Sequence, residues 1–173
     1  MYRLFTVLML FLFCAKSYAV DFPLTGYYRV KDKYKNVIVE WKFQNGRKFG
    51  LQKIFSPTGR GLATVKYRDG EIIRPNFSDR VMISNLFFSA AKRLEKAGSK
   101  EEALEVYKEA VNIWLESEDA NYYLARLYVQ LGNREKAVEV LEEFLKNVEA
   151  MPEWRGTVNT EKNRKFVERL REE

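Results

Sequence analysis

The sequence predicts an α+β fold. A small antiparallel β-meander over about residues 25–75 is followed by a stack of α-helical hairpins with a C-terminal capping helix. Three observations predict it. Apolar and polar residues alternate with a period of two over residues 25–75, and from Ser78 onward the apolar spacing is that of helices. Within the second half, like residues recur at a fixed offset of 34, the length of one helix–turn–helix unit.

The composition fits a folded protein and removes several kinds of chemistry. Of the 173 residues, 46% are hydrophobic and 31% are charged, so the chain can build a core. Histidine is absent and the single cysteine is Cys14. The chain therefore lacks the commonest general base and metal ligand, and it has no intrachain disulfide or thiolate zinc site. We predict a protein that is not an enzyme and that uses no cofactor and no metal.

Residues 1–19 are predicted to be a secretory signal peptide. A basic residue precedes an apolar run at residues 4–15, and Ser17 and Ala19 are small residues before a cleavage site. The run is too short to span a bilayer comfortably. We expect cleavage after Ala19 and export to the periplasm or extracellular space of a bacterial envelope. Retention as an uncleaved anchor stays open, because Lys16 is unusual so close to a cleavage site.

The net charge is mildly basic. It is +6 for the whole chain, and without residues 1–19 there remain 28 basic residues against 24 acidic ones. This balance favours acidic partners or anionic surfaces at low salt. The charge is too weak and too evenly spread to predict nucleic acid as a partner.

Strands and turns are predicted in the first module, residues 20–76. Strands at residues 27–30, 37–43, 49–55 and 62–68, with a short one near residues 72–73, give a meander of four or five strands. Asn45-Gly46 and Asp69-Gly70 accept positive φ and close hairpins. The apolar faces of two strands consist of Val37, Val39, Trp41, Phe43, Ala63, Val65 and Tyr67.

The segment from Trp41 to Gly70 resembles the bacterial variant of the MORN repeat. An aromatic strand ends in a polar-Gly turn, Gly50 opens the next strand, and Gly46 recurs 24 residues later as Gly70. The resemblance implies a recognition or scaffolding surface, sometimes associated with membranes. A generic small sheet predicts the same hairpins, and that alternative stays open.

Basic residues interleaved with aromatic ones give the predicted sheet a positive character. They are Arg47, Lys48, Lys53, Arg60, Lys66, Arg68 and Arg74. One interpretation is a surface that binds anionic groups or glycans. The other, which we prefer, is a solvated face whose charges prevent edge-to-edge pairing.

Helices are predicted throughout the second module, residues 77–150. Ser78 is the expected N-cap of the first helix, and Ser99 with Glu102 is an expected capping box at the second. In the second unit, Gly132 is expected to end one helix and Asn133 to cap the next. We expect the sheet to shield the start of the stack through Phe77, Val81 and Met82.

Residue pairs 34 positions apart identify the repeat. They are Ala91 and Ala125, Leu94 and Tyr128, Gly98 and Gly132, and Ala103 and Ala137. Together with Tyr107, Leu141 and Ala110, these positions resemble the tetratricopeptide repeat, in two units over about residues 84–150. Alanine lets two helices approach closely, and glycine lets the chain reverse. The chain departs from the family pattern at Leu115, where proline is frequent, and at Phe144, which replaces a closing alanine.

Two units are fewer than the roughly three that a stable stack needs. The last module, residues 151–173, contains a short amphipathic helix over residues 159–170. We expect this helix to place Phe166, Val167 and Leu170 over Leu141 and Phe144, and so to cap the stack.

The resemblance implies a non-enzymatic adaptor or scaffold that holds a protein or peptide partner in a groove lined by the first helix of each unit. By register, the candidate groove consists of Asn85, Phe88, Lys92, Lys96, Tyr122, Arg126, Val129 and Gln130. Lys92 and Arg126 are equivalent positions, which favours an acidic or carboxylate-ended peptide. This partly resembles the carboxylate clamps of some family members, although the clamp's asparagine is missing. The alternative is a solvated groove whose charges keep the repeat soluble.

Two further interpretations concern the charged surfaces. The rival function is an envelope surface-binding module, in which the basic sheet contacts anionic lipid or cell-wall polymer. The glutamates are predicted to be solvated on outward helix faces, and they are Glu101, Glu102, Glu105, Glu109, Glu139, Glu142 and Glu143. The sequence leaves the partner, the pathway and the oligomeric state undetermined.

Overall fold

The computed structural model describes residues 20–73, 75–151 and 158–172. The predicted signal peptide and Arg74 lie outside the described residues. Within the described ranges, a six-stranded antiparallel sheet precedes five α-helices, which confirms the predicted α+β class.

The sheet is formed by β1 (Gly26–Lys31), β2 (Val37–Gln44), β3 (Arg47–Lys48), β4 (Gly50–Phe55), β5 (Gly61–Arg68) and β6 (Glu71–Ile73). Its order is β1-β2-β4-β5-β6, and the two-residue β3 pairs with β2. Asn45-Gly46 and Asp69-Gly70 take the positive φ values that tight hairpins require. The predicted hairpins are therefore present, with β3 as one strand more than expected.

One irregularity interrupts the alternation in β2. Val30 of β1 pairs with Val39, but the next residue, Lys31, pairs with Val37, so the pairing skips Ile38. An extra residue of this kind breaks the two-residue alternation of side chains. Ile38 and Val39 are accordingly both fully buried, although they are adjacent in the chain.

The helices are α1 (Phe77–Lys96), α2 (Lys100–Ile113), α3 (Glu118–Gln130), α4 (Arg134–Ala150) and α5 (Glu161–Glu172). The N-cap of α1 is Asn76, whose side chain accepts a hydrogen bond from the Asp79 amide. The prediction of Ser78 was wrong, because Ser78 lies inside the first turn. Asn133 caps α4 as predicted, through the Lys136 amide.

Ser99 occupies the N-cap position of α2, but its side chain makes no capping hydrogen bond. The predicted capping box with Glu102 was therefore wrong. The physical reason combines backbone conformation and side-chain length, because Ser117 caps α3 at an extended ψ of 105°, whereas the ψ of Ser99 is 69°. At a similar ψ of 76°, Asn133 still caps α4, because its side chain is one bond longer than that of serine.

The two helical hairpins repeat each other in detail. Gly98 and Gly132 have φ of 87° and 78°. The amides that follow them, on Ser99 and Asn133, donate to the carbonyls of Leu94 and Tyr128 at 3.0 and 2.9 Å. This is the same helix-ending motif, which requires a left-handed residue that glycine supplies. The four paired alanines are fully buried, as close helix approach requires, at Ala91, Ala125, Ala103 and Ala137.

The sheet and the first three helices share one hydrophobic cluster. Trp41 and Val65 enter it from the sheet, and Phe87, Leu94 and Tyr107 from the helices. The sheet therefore covers the start of the stack as expected, but not through Phe77 and Met82, whose exposed fractions are 45% and 51%. The covered face of α1 is instead the one that carries Ile83 and Phe87. The division of the chain into separate modules stays a prediction.

Helix α5 packs against the last hairpin. Val167 and Leu170 join Ala125, Ala137 and Leu141 in a second hydrophobic cluster. Phe144 is also buried, at 1% exposure. The predicted capping helix is therefore present. None of the helices in the described ranges has the length and apolar character needed to cross a membrane.

Candidate functional site

Three helices each place an aromatic residue and a cation four positions apart. The pairs are Phe88 and Lys92 on α1, Tyr122 and Arg126 on α3, and Lys162 and Phe166 on α5. Side chains four apart on a helix lie on the same face. Together with Tyr123, these six residues form what we call the aromatic–cation groove.

The rings of the groove form a connected series. The centroids of Phe88 and Tyr123 are 5.3 Å apart, those of Tyr123 and Tyr122 are 5.7 Å apart, and those of Tyr122 and Phe166 are 5.3 Å apart. Beneath them lies buried Tyr107, 5.9 Å from Phe88. The first two contacts are edge-to-face, which is a favoured arrangement for aromatic rings. The series therefore links α1, α3 and α5 along one surface.

Three cations lie against these rings. The Lys92 Nζ is 4.8 Å from the Tyr123 centroid, and the Arg126 Cζ is 4.3 Å from the same centroid. The Lys162 Nζ is 3.6 Å from the centroid of Tyr122. A cation within about 6 Å of a ring face is attracted by its quadrupole. The groove thus combines positive charge with flat apolar surface.

Arg126 is committed to a carboxylate within the protein. One of its terminal nitrogens lies 2.5 Å from the Glu95 carboxylate, and the Tyr107 hydroxyl donates to the other oxygen of Glu95 at 2.9 Å. The Glu95 side chain is 13% exposed. Burial, and then the hydrogen bond to Glu95, raise the pKa of Tyr107 well above its ordinary value of 10.0. The Arg126 guanidinium therefore holds the floor of the groove in place.

Lys92 is placed differently, although it is the repeat equivalent of Arg126. Among the residues that the structure describes, no carboxylate lies within ion-pair distance of Lys92, whereas Lys162 lies 3.7 Å from Asp119. Lys92 is half-buried between the rings of Phe88 and Tyr123. A ligand's anionic group can therefore neutralise the positive charge of Lys92.

The structure brings together four of the eight residues proposed for the groove, namely Phe88, Lys92, Tyr122 and Arg126. Asn85, Val129 and Gln130 are exposed. Lys96 borders a different depression, with Tyr34, Pro57 and Arg93. Whether any of the eight binds a ligand stays a prediction.

Sequence reasoning missed Glu95, Tyr123, Lys162 and Phe166. Glu95 and Tyr123 are adjacent to residues of the repeat pattern and carried no signal of their own. Lys162 and Phe166 did carry one, because they repeat the aromatic and cation spacing of four. The sequence predicts only a packing role for Phe166, because the last helix is expected to be a cap.

A second polar cluster is buried between the sheet and the helices. Glu109 of α2 is 1% exposed, and it accepts hydrogen bonds from the Lys48 ammonium and the Tyr67 hydroxyl. The prediction that Glu109 is solvated was therefore wrong, because the sheet covers that face of α2. Lys48 likewise does not belong to a solvated basic face, since its side chain is 21% exposed and points to Glu109.

The described residues contain no group of three or more carboxylate or thiol side chains that could hold a metal ion. Comparison with known families matches residues 90–156 to the tetratricopeptide repeat. The matched region begins within α1 and includes α2, α3 and α4. A comparison with curated proteins gave no match.

The match supports a tetratricopeptide repeat protein, and thereby a protein-binding adaptor role. Members of this family are generally non-enzymatic interaction modules. The matched region does not include the sheet, so the resemblance of residues 41–70 to the bacterial MORN repeat stays a prediction.

Proposed function

We propose that the protein is an exported adaptor that binds an acidic segment of another protein in the aromatic–cation groove. The observation that carries the proposal is the position of Lys92, a cation held between two aromatic rings with no carboxylate of the described residues within ion-pair distance. The tetratricopeptide match over residues 90–156 supports the class of partner, a protein or peptide.

The chemistry of the groove favours a peptide with both acidic and apolar groups. A carboxylate beside the Lys92 ammonium forms a charge-assisted hydrogen bond, which is about twice as strong as a neutral one. The exposed parts of Phe88, Tyr122 and Phe166 offer apolar contact on either side. Lys162, at 40% side-chain exposure, adds a second cation near Tyr122. Because Arg126 already pairs with Glu95, we assign it to positioning Tyr123 and the groove floor.

Replacing Lys92 with glutamate is expected to weaken binding of acidic peptides by about ten-fold or more, because a charge-assisted hydrogen bond is replaced by repulsion. Peptides are selected from a random library displayed on phage, and the Kd of each selected peptide is then measured by titration against the protein. We expect the unmodified protein to enrich aspartate and glutamate, and the K92E variant to lose that enrichment.

The matched control is Lys136→Glu, which makes the same charge change on α4 at 52% side-chain exposure. This variant should select the same peptides as the unmodified protein. Loss of acidic selection in both variants, or in neither, would show that the groove is not the binding site. Thermal unfolding of each variant establishes that it is folded.

Export is the second part of the proposal, and it rests on the sequence of residues 1–19. When the whole chain is expressed in a bacterium, we expect the protein to be found in the envelope fraction with Val20 as its N-terminal residue. Mass spectrometry of the intact protein measures this directly. A protein that starts at residue 1 in the membrane fraction would instead support an uncleaved anchor, and an unprocessed protein in the cytoplasmic fraction would overturn export.

A further inference from the structure

The sheet has a second face that the helices do not cover. On it lie five side chains, one from each of the five main strands, in two sets of paired residues that together we call the outer row. Tyr27 pairs with Lys42, Leu51 pairs with Lys66, and Lys66 pairs with Ile73. The two sets are joined through Glu40 and Lys53, which pair across β2 and β4 on the same face, whereas the Lys42 backbone bonds to the Gln52 side chain.

The outer row alternates apolar and basic side chains. Tyr27, Leu51 and Ile73 have exposed fractions of 54%, 51% and 41%. Lys42 and Lys66 lie between them. Large apolar side chains exposed in one contiguous layer, bordered by polar groups, mark surfaces that bind something. Single exposed apolar residues need no explanation, but here three lie on the same open face of one sheet.

The neighbouring row contributes further positive charge. It contains Arg29, Glu40 and Lys53, which are paired across β1, β2 and β4. The Glu40 carboxylate lies 2.6 Å from Arg29 and 3.6 Å from Lys53, and Glu40 is 8% exposed. The side chains of Arg29 and Lys53 are 54% and 47% exposed. The acidic group is therefore covered by cations, and the surface that meets solvent is positive.

We propose that the outer row docks on a lipid bilayer that carries anionic headgroups. Positive charge attracts the protein to such a surface, and exposed apolar side chains enter the boundary between headgroups and acyl chains. Lysine side chains suit this position, because their aliphatic stems lie along apolar surface while the ammonium reaches the headgroups. A soluble polyanion satisfies the charge alone and leaves Tyr27, Leu51 and Ile73 in water. This surface is separate from the aromatic–cation groove, so the proposal is independent of the groove's function.

The experiment uses residues 20–173, which contain every described element and exclude the apolar run at residues 4–15. The protein is incubated with vesicles of phosphatidylcholine, with or without phosphatidylglycerol, and bound protein is measured by flotation. We expect binding only to the vesicles that contain phosphatidylglycerol, and weaker binding as salt increases. Free glycerol phosphate should not release the protein.

Two double variants test the surface, and a third serves as the control. Lys42→Gln with Lys66→Gln is expected to weaken binding on the order of five-fold for each lysine. Leu51→Gln with Ile73→Gln keeps the charge and is expected to weaken binding by about ten-fold through lost apolar contact. The control is Lys136→Gln with Lys165→Gln, which removes two charges from α4 and α5 and should leave binding unchanged.

Equal binding to neutral vesicles, or no binding to anionic ones, would overturn the proposal. An effect of the control pair as large as that of the outer-row lysines would show non-specific charge attraction and would also overturn it. Full binding by the variant of Leu51 and Ile73, together with release by free polyphosphate, would show that the surface binds a soluble polyanion and would overturn the lipid proposal. Circular dichroism confirms that each variant is folded.

Discussion

Replacing Lys48 with methionine is expected to destabilise the fold by about 3 kcal/mol. The Glu109 carboxylate is 1% exposed and accepts hydrogen bonds from Lys48 and Tyr67. Without the ammonium, the charge of Glu109 remains buried between sheet and helices, and the Tyr67 hydroxyl is its remaining hydrogen-bond donor among the described residues. Removing one partner of a buried ion pair costs more than the pair contributes, because the other charge cannot return to water.

The measurement is urea unfolding, with thermal unfolding as a second probe. A loss of 3 kcal/mol corresponds to a decrease in Tm of about 6–12 °C for a domain of this size. Lys66→Met, on the exposed face of β5, is the matched control and should change stability by less than about 0.5 kcal/mol. The double variant Lys48→Met with Glu109→Leu should recover most of the loss, because an apolar pair replaces the ion pair. A similar loss with Lys66→Met, or no recovery in the double variant, would refute this explanation.

Stability is expected to fall steeply above about pH 10, because two buried tyrosines keep their protons only in the folded state. Burial and the nearby Glu109 carboxylate raise the pKa of Tyr67 above its ordinary value of 10.0. Burial and the hydrogen bond to Glu95 do the same for Tyr107. Above pH 10 the unfolded chain releases these protons while the folded protein holds them, so unfolding becomes more favourable as pH rises. Each tyrosine contributes a slope of about 1.4 kcal/mol per pH unit.

Variants can show whether Tyr67 and Tyr107 cause this pH dependence. The free energy of unfolding is measured by urea titration from pH 8.5 to about 11.5. Its slope with pH gives the number of protons that the unfolded chain releases and the folded protein keeps. Tyr67→Phe and Tyr107→Phe should each reduce the slope above pH 10, although each also removes a hydrogen bond and so lowers stability at all pH values. Tyr34→Phe is the control, because Tyr34 is 72% exposed. Unchanged slopes in both variants would show that other groups cause the alkaline loss.

Local patterns predicted most of the fold. Hairpin turns such as Asn45-Gly46 depend on residues that accept positive φ, and helix ends such as Gly98 and Gly132 depend on the same property. The 34-residue offset located the helical hairpins because close packing needs alanine at the same position in each unit. The cap of α1 was misplaced by two residues, since Ser78 and Asn76 are both good capping residues and the sequence does not decide between them.

The candidate site was less predictable, because it depends on which cationic and acidic side chains form ion pairs. The offset made Lys92 and Arg126 equivalent, and both were expected to face a ligand. The structure places Arg126 against Glu95, which is 31 residues distant in the chain, and leaves Lys92 between two rings. Lys162 and Phe166 reach the groove only because α5 packs on the last hairpin.

By itself, the sequence determined the order of strands and helices, the two repeated units and the presence of a final helix. These follow from the spacing of apolar residues and from turn residues, and both are local properties of the chain. Only the tertiary structure decided that Glu109 and Lys48 pair between sheet and helices, that Arg126 pairs with Glu95 while Lys92 lies between two rings, and that Tyr27, Leu51 and Ile73 share one open face. The physical reason is that burial and ion pairing depend on which elements pack against each other, and residues far apart in the chain carry no local signal of that contact.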